Sequence, residues 1–102
     1  MSDLWTVDPR EALRAGEEFD LDSLDRASTP GFTGDKAAAE ILTAERGKLL
    51  SELQERLFAN GRAGGKRNVL VIIQGLDTAG KGGIVRHVMG MVDPQGVALR
   101  SF

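Results

Sequence analysis

Gly75-Leu76-Asp77-Thr78-Ala79-Gly80-Lys81-Gly82-Gly83 sets two glycines five residues apart and puts a lysine directly after the second. This spacing fits the phosphate-binding P-loop: glycine, four residues, glycine, lysine. The chemistry accounts for the residue types. Glycines let successive backbone N–H groups come close to an anion. A helix opening at the end of the loop adds its unpaired N–H groups and the positive end of its dipole. Lys81 supplies a point charge to the outer phosphates. Gly75, Leu76, Thr78, Ala79, Gly80, Lys81, Gly82 and Gly83 are therefore the candidate phosphate-binding residues. Asp77 and Lys81 are the candidate catalytic residues.

One position departs from the common loop. The residue after the lysine is normally Ser or Thr, whose hydroxyl binds magnesium, and here it is Gly82. Asp77 and Thr78 are the nearest oxygen donors. A hard cation beside phosphate favours a carboxylate, so Asp77 is the candidate metal ligand. Arg86 lies one turn beyond Gly82, away from the apolar side of its helix, and is a further candidate for phosphate. His87, the only histidine, falls on the same polar side and reads as a surface residue. Lys66 and Arg67 precede a seven-residue strand, which at ~3.3 Å per residue puts them about 20 Å from the loop end. Asp20, Asp22 and Asp25 invite a calcium loop, but positions 5, 6 and 12 counted from Asp20 are Leu24, Asp25 and Gly31, where that loop needs a ligand, a glycine and a glutamate.

The loop needs a strand before it and a helix after it, and the flanking sequence offers both. Asn68-Val-Leu-Val-Ile-Ile-Gln74 is continuous and β-branched, the pattern of a strand buried on both faces of a parallel sheet. A helix is expected over 80–92, with Ile84, Val85, Val88, Met89 and Val92 on one side. Asp93-Pro94-Gln95-Gly96 is a turn, and 97–102 begins a second strand. Upstream, 35–60 reads as one long helix, capped by Asp35 and stopped by Asn60-Gly61. Ala38, Leu42, Leu49, Leu53 and Leu57 follow helical spacing on one face, widened by Leu50 and Phe58. That stripe reads as a core or helix-pairing face. Gly47 sits mid-helix, where it costs about 1 kcal/mol relative to alanine and leaves room for a kink. Residues 1–34 form an irregular lead with a turn at Thr29-Pro30-Gly31. The expected fold class is α/β, an incomplete P-loop kinase-like parallel sheet carried by 35–102. One βαβ unit cannot cover a doubly buried strand, so the chain reads as the front piece of a larger domain.

The 102 residues are 41% hydrophobic and 27% charged, with no cysteine. Disulfides, thiolate metal sites and cysteine nucleophiles are excluded. The longest aliphatic run, Val69 to Ile73, falls far below the ~18 residues of a membrane span. Neither a membrane nor a nucleic-acid polymer is an expected partner, and the reading is cytoplasmic. The net charge of −2 hides an asymmetry. Residues 1–60 hold 13 acids, 7 bases and 4 glycines; residues 61–102 hold 2 acids, 6 bases and 9 glycines. A half that turns basic and glycine-rich together suits anion binding.

Gln74-Gly-Leu-Asp-Thr-Ala-Gly-Lys-Gly-Gly83 resembles the P-loop of the polyphosphate kinase 2 family, including the aspartate two after the first glycine. Thr29-Pro-Gly-Phe32 with Gly34-Asp-Lys36, Leu53-Gln-Glu-Arg-Leu-Phe58, Arg86-His-Val88 and Asp93-Pro-Gln-Gly96 with Ser101-Phe102 are similar to its N-terminal part. Asp93 stands where asparagine is often expected. The resemblance covers about residues 29–102. It implies a P-loop kinase fold with a parallel sheet. It implies magnesium-dependent phosphoryl transfer between inorganic polyphosphate and a nucleoside mono- or diphosphate, and homo-oligomers. Residues 75–83 would bind phosphate, Lys81 would neutralise charge and Asp77 would place metal or acceptor. The family's second acidic motif and its arginine-bearing lid would lie beyond Phe102, so the 102 residues alone are expected to be inactive. Two other readings compete: an ATP-dependent P-loop kinase of small molecules, and a non-catalytic module that binds anions or pairs helices.

Overall fold

The computed structural model of the chain describes residues 4–76 and 78–101. It divides into two compact units, Met1–Ile41 and Leu42–Phe102.

The first unit is held by a short backbone pairing. Thr6 N–H donates to the Gly31 carbonyl at 2.8 Å, and Thr33 N–H donates to Leu4 at 2.8 Å. These bonds frame an antiparallel bridge between Trp5 and Phe32, whose rings stand 5.2 Å apart. Gly31 has φ +75, a conformation that side-chain-bearing residues rarely adopt. A one-turn helix, α1 (Pro9–Ala12), starts at Asp8, with proline pre-set in its first turn. The segment read as irregular is thus closed by pairing across more than twenty residues.

Helix α2 (Lys36–Arg62) begins where expected. Asp35 Oδ1 accepts from the Ala38 N–H at 2.8 Å, as an N-cap does. Its end differs from expectation. The left-handed stop is Gly64 (φ +101), not Asn60-Gly61. Gly65 N–H bonds the Asn60 carbonyl at 2.8 Å and Gly64 N–H bonds Gly61 at 3.1 Å. This is the paired arrangement that satisfies the last carbonyls of a helix. The helix also runs uninterrupted through Gly47.

In the second unit the closest contacts of α2 fall at Gly47, Gln54 and Phe58; of the leucine stripe, Leu42 and Leu57 are half-buried and Leu49 and Leu50 exposed. Gly47 is buried against Met91; a Cβ there would meet the Met91 sulfur at 2.8 Å. At 3.6 residues per turn, Gly47, Gln54 and Phe58 fall within about 40° of one another, and Leu42, Leu49 and Leu53 lie about 120–160° round the helix from Gly47. Leu53 is 49% exposed. Among the described residues no hydrophobic side chain is fully buried.

Helix α3 (Lys81–Met89) is shorter than the expected 80–92, and its hydrogen bonds run on as turns through Val92. The expected strands at 68–74 and 97–102 are not formed among the described residues. A strand is completed by a neighbour's backbone, and none lies beside 68–74, where Leu70 and Ile72 are each 80% exposed. Phe102 lies outside the described residues. No described helix is long and apolar enough to cross a membrane.

Candidate phosphate-binding loop

The chain turns just ahead of α3. The Ala79 N–H bonds the Leu76 carbonyl at 2.9 Å. Gly80 then takes φ +93 and forms the N-cap of α3, with no side chain capping the helix. This conformation needs glycine, since other residues lose steric room at positive φ. It leaves the N–H groups of Lys81, Gly82 and Gly83 at a helix start, where no preceding turn supplies acceptors.

Gly75 and Lys81, the two ends of the motif, meet. A Cβ on Gly75 would lie 3.3 Å from the Ala79 Cβ, 3.4 Å from Lys81 Cγ and 3.6 Å from Lys81 Cδ. The aliphatic stem of Lys81 therefore lies over Gly75 and closes the loop, leaving Lys81 half-buried. Gly82 and Gly83 behave differently. A Cβ on Gly83 would meet nothing within 4 Å, and one on Gly82 only the Arg86 Nη2 at 4.0 Å. The chain's own packing explains Gly75 and Gly80 but not this second pair.

The same contact places Arg86. Its guanidinium folds back along α3 to the first turn, beside Gly82. Leu76, Thr78, Ala79, Gly80, Gly82 and Gly83 are exposed, as an accessible loop requires. Asp77, the candidate metal ligand, lies outside the described residues. Among the described residues no three His, Cys, Asp or Glu cluster as a metal site would. His87 is exposed, and Lys66 and Arg67 lie on the exposed connector after α2.

One contact was not legible beforehand. The Gln54 side-chain amide donates to the Asp93 carbonyl at 2.9 Å and accepts from the Asp93 N–H at 3.3 Å. Asp93 Oδ1 in turn accepts from the Gln95 N–H at 2.9 Å and caps a 3-10 turn, Pro94–Gly96. Asparagine carries the same oxygen, so aspartate keeps the cap. A polar residue two turns from Gly47 and one turn from Phe58 was the available signal, and apolar periodicity does not count it.

Comparison with known proteins places this arrangement. Over 84 residues the chain is 39% identical to an AMP/ADP-polyphosphate phosphotransferase of Meiothermus ruber, covering 82% of this chain and 30% of that protein. Over 87 residues it is 36% identical to an ADP-polyphosphate phosphotransferase of Rhodopseudomonas palustris, covering 85% and 28%. Its structure is similar to the crystal structure of polyphosphate kinase 2 from Arthrobacter aurescens TC1, with a TM-score of 0.90 and 51% identity over 96% of this chain and 35% of that one. The chain thus spans about a third of the length of these relatives. Residues 34–102, which include the Asp35 cap, the loop and the Asp93 turn, match polyphosphate kinase 2, and the chain belongs to the polyphosphate kinase 2 family.

Proposed function

We propose that the complete protein transfers a phosphoryl group between inorganic polyphosphate and a nucleoside mono- or diphosphate. One observation carries the reading. The loop is closed by its own lysine over Gly75, while Gly82 and Gly83 face open space at a helix start. Glycines that internal packing does not require are explained by an anion approaching the backbone. The names of the two phosphotransferase relatives supply the substrate class.

In this reading the bridging P–O bond to the terminal phosphoryl group of polyphosphate breaks as an acceptor phosphate oxygen bonds to that phosphorus, and the polyphosphate leaves one unit shorter. The N–H groups of Lys81, Gly82 and Gly83 and the Lys81 ammonium hold the phosphate oxygens and offset their charge. Arg86 adds a second cation on the same turn. Phosphoryl transfer depends mainly on such positioning and charge stabilisation. Magnesium fits this donor set. It takes one or two carboxylates with phosphate oxygens and keeps its waters, and so needs no three-residue cage. Asp77 would hold it, and it would supply charge neutralisation between phosphates. Residues 68–74 would join a parallel sheet of a P-loop kinase-like domain. A cytoplasmic location and self-association belong to the same reading, and light scattering on the complete protein tests the latter.

The decisive experiment mixes the complete protein with polyphosphate, magnesium and either ADP or AMP, and follows the phosphorylated nucleotide. Product is expected, and Lys81→Ala should lower kcat/KM by about 10²-fold or more, as loss of a transition-state charge partner does. No product from the intact protein with either acceptor overturns the reading.

A further inference from the structure

Helix α2 grips the chain just beyond α3, at points the phosphate loop does not use. Gly47 receives Met91. One side-chain amide, that of Gln54, takes both backbone polar groups of Asp93. Gly96 lies so close that a Cβ there would collide with Gln54 Nε2 and stand 3.4 Å from the Phe58 Cβ. Little slack separates this grip from α3. Gly90 N–H bonds the Arg86 carbonyl at 3.1 Å, Met91 bonds Val88 at 3.1 Å and Val92 bonds Met89 at 3.4 Å. The helical turns therefore reach the residue before Asp93.

We infer that Gln54 is a positioning residue: by latching Asp93 to α2 it fixes the axis of α3, and with it the direction in which Lys81 and the first-turn N–H groups face. The latch itself rests on the contacts above, and its consequence for turnover rests on the phosphoryl-transfer reading. A lever argument gives the size. Nine residues at about 1.5 Å each make α3 about 14 Å long, so a tilt of about 5° at its C-terminal end moves the loop by about 1 Å. A misplacement of about 1 Å can cost about 10²-fold in rate. The residue type follows as well. An amide offers a donor and an acceptor in one plane; an ionised carboxylate only accepts and an ammonium only donates.

Two variants of the complete protein test this. Gln54→Leu keeps the bulk and removes both bonds. It should lower kcat/KM for polyphosphate by about tenfold or more, mostly in kcat, because a misdirected cradle still attracts a polyanion by charge. Gln54→Glu keeps the shape. Its protonated carboxyl restores donor and acceptor, and its ionised form cannot donate to the Asp93 carbonyl. Its activity relative to the unmodified protein should therefore rise as pH falls toward the carboxyl range, a dependence that a packing role does not produce. Gln54→Leu within twofold of the unmodified protein, or a Gln54→Glu ratio flat with pH, overturns the inference. If Gln54→Leu does not fold, the Gln54→Glu ratio decides alone. Amide hydrogen exchange over residues 81–92 separates the two readings. It should quicken in Gln54→Leu whether or not the protein transfers phosphate, and unchanged exchange removes the latch. Absence of transfer in the unmodified protein removes the proposed function instead.

Discussion

The two units close on themselves by different means. In the first, the long-range hold is backbone to backbone: Thr6 to Gly31 and Thr33 to Leu4. Particular side chains add to it through the Trp5–Phe32 ring pair and the hydroxyls of Thr6 and Thr33, which donate to the same Gly31 and Leu4 carbonyls at 3.3 and 2.9 Å. In the second, the long-range hold is side chain to backbone, through Gln54 on Asp93 and the close approaches at Gly47 and Gly96. Backbone pairing is open to most residues and so tolerates substitution along its length, Gly31 with its φ of +75 excepted. A glutamine clasp over a glycine allows almost none, since both groups are defined by type and reach. The second unit is therefore where single substitutions should cost most, and it is the unit that carries the loop.

The largest effect should come from Gly96→Val. Its branched side chain would occupy the space of the Gln54 amide and press on Phe58. Overpacking of this kind costs about 1–3 kcal/mol, and loss of the clasp places this variant near the upper end. Urea unfolding of the complete protein measures it. A loss below about 0.5 kcal/mol, the level of an ordinary surface change, would show that the second unit is no more demanding than the first. Trp5→Ala should cost less, about 1–2 kcal/mol, because the ring is half-buried and its tilted pairing with Phe32 adds to its burial. Exchange of the Thr6 and Thr33 amides reports it directly, since both bond across the bridge. Protection that survives the substitution would mean that the backbone pairing and the Thr6 and Thr33 hydroxyl bonds close the first unit without the rings.

What the sequence showed in advance follows the same division. The loop was legible because all its determinants are local: glycine at Gly80 for positive φ, glycine at Gly75 for the Lys81 stem, and lysine at the helix start. The Asp35 cap was legible for the same reason. Residues 68–74 carry the composition of a buried strand, but pairing is a property of two segments and no second one lies beside them among the described residues. The packed face of α2 was legible in part: Phe58 lies on the edge of the apolar stripe, but periodicity weighs leucines and gives no weight to Gly47 and Gln54, which share the contact. Small and polar residues allow close approach without any apolar signature. The Trp5–Phe32 bridge was missed because it joins distant positions through backbone atoms that every residue carries.

The smallest expected effect lies at the start of α1, and it can be read without unfolding the protein. Arg10 forks onto Asp8, with Nη2 2.6 Å from Oδ2 and Nε 3.1 Å from Oδ1, and the Arg10 N–H donates to Oδ1 at 2.9 Å. The Arg10 side-chain hydrogen bonds, followed by its backbone N–H, hold the Asp8 carboxyl at about 2 against an ordinary 3.8. The folded value is the depressed one. The pairing therefore contributes fully above the unfolded value near 3.8 and is lost as pH falls through about 2. An NMR titration of the Asp8 side-chain carbonyl carbon should show its midpoint near 2. In Arg10→Ala the midpoint should move up toward 3.8 without reaching it, because the backbone N–H of residue 10 still donates. A midpoint in the unmodified protein no lower than that of Arg10→Ala would mean that the exposed guanidinium spends its time in water, as many surface ion pairs do. The first unit would then be held by its backbone bridge and ring pair with no help from charge, and the contrast with the clasped second unit would sharpen.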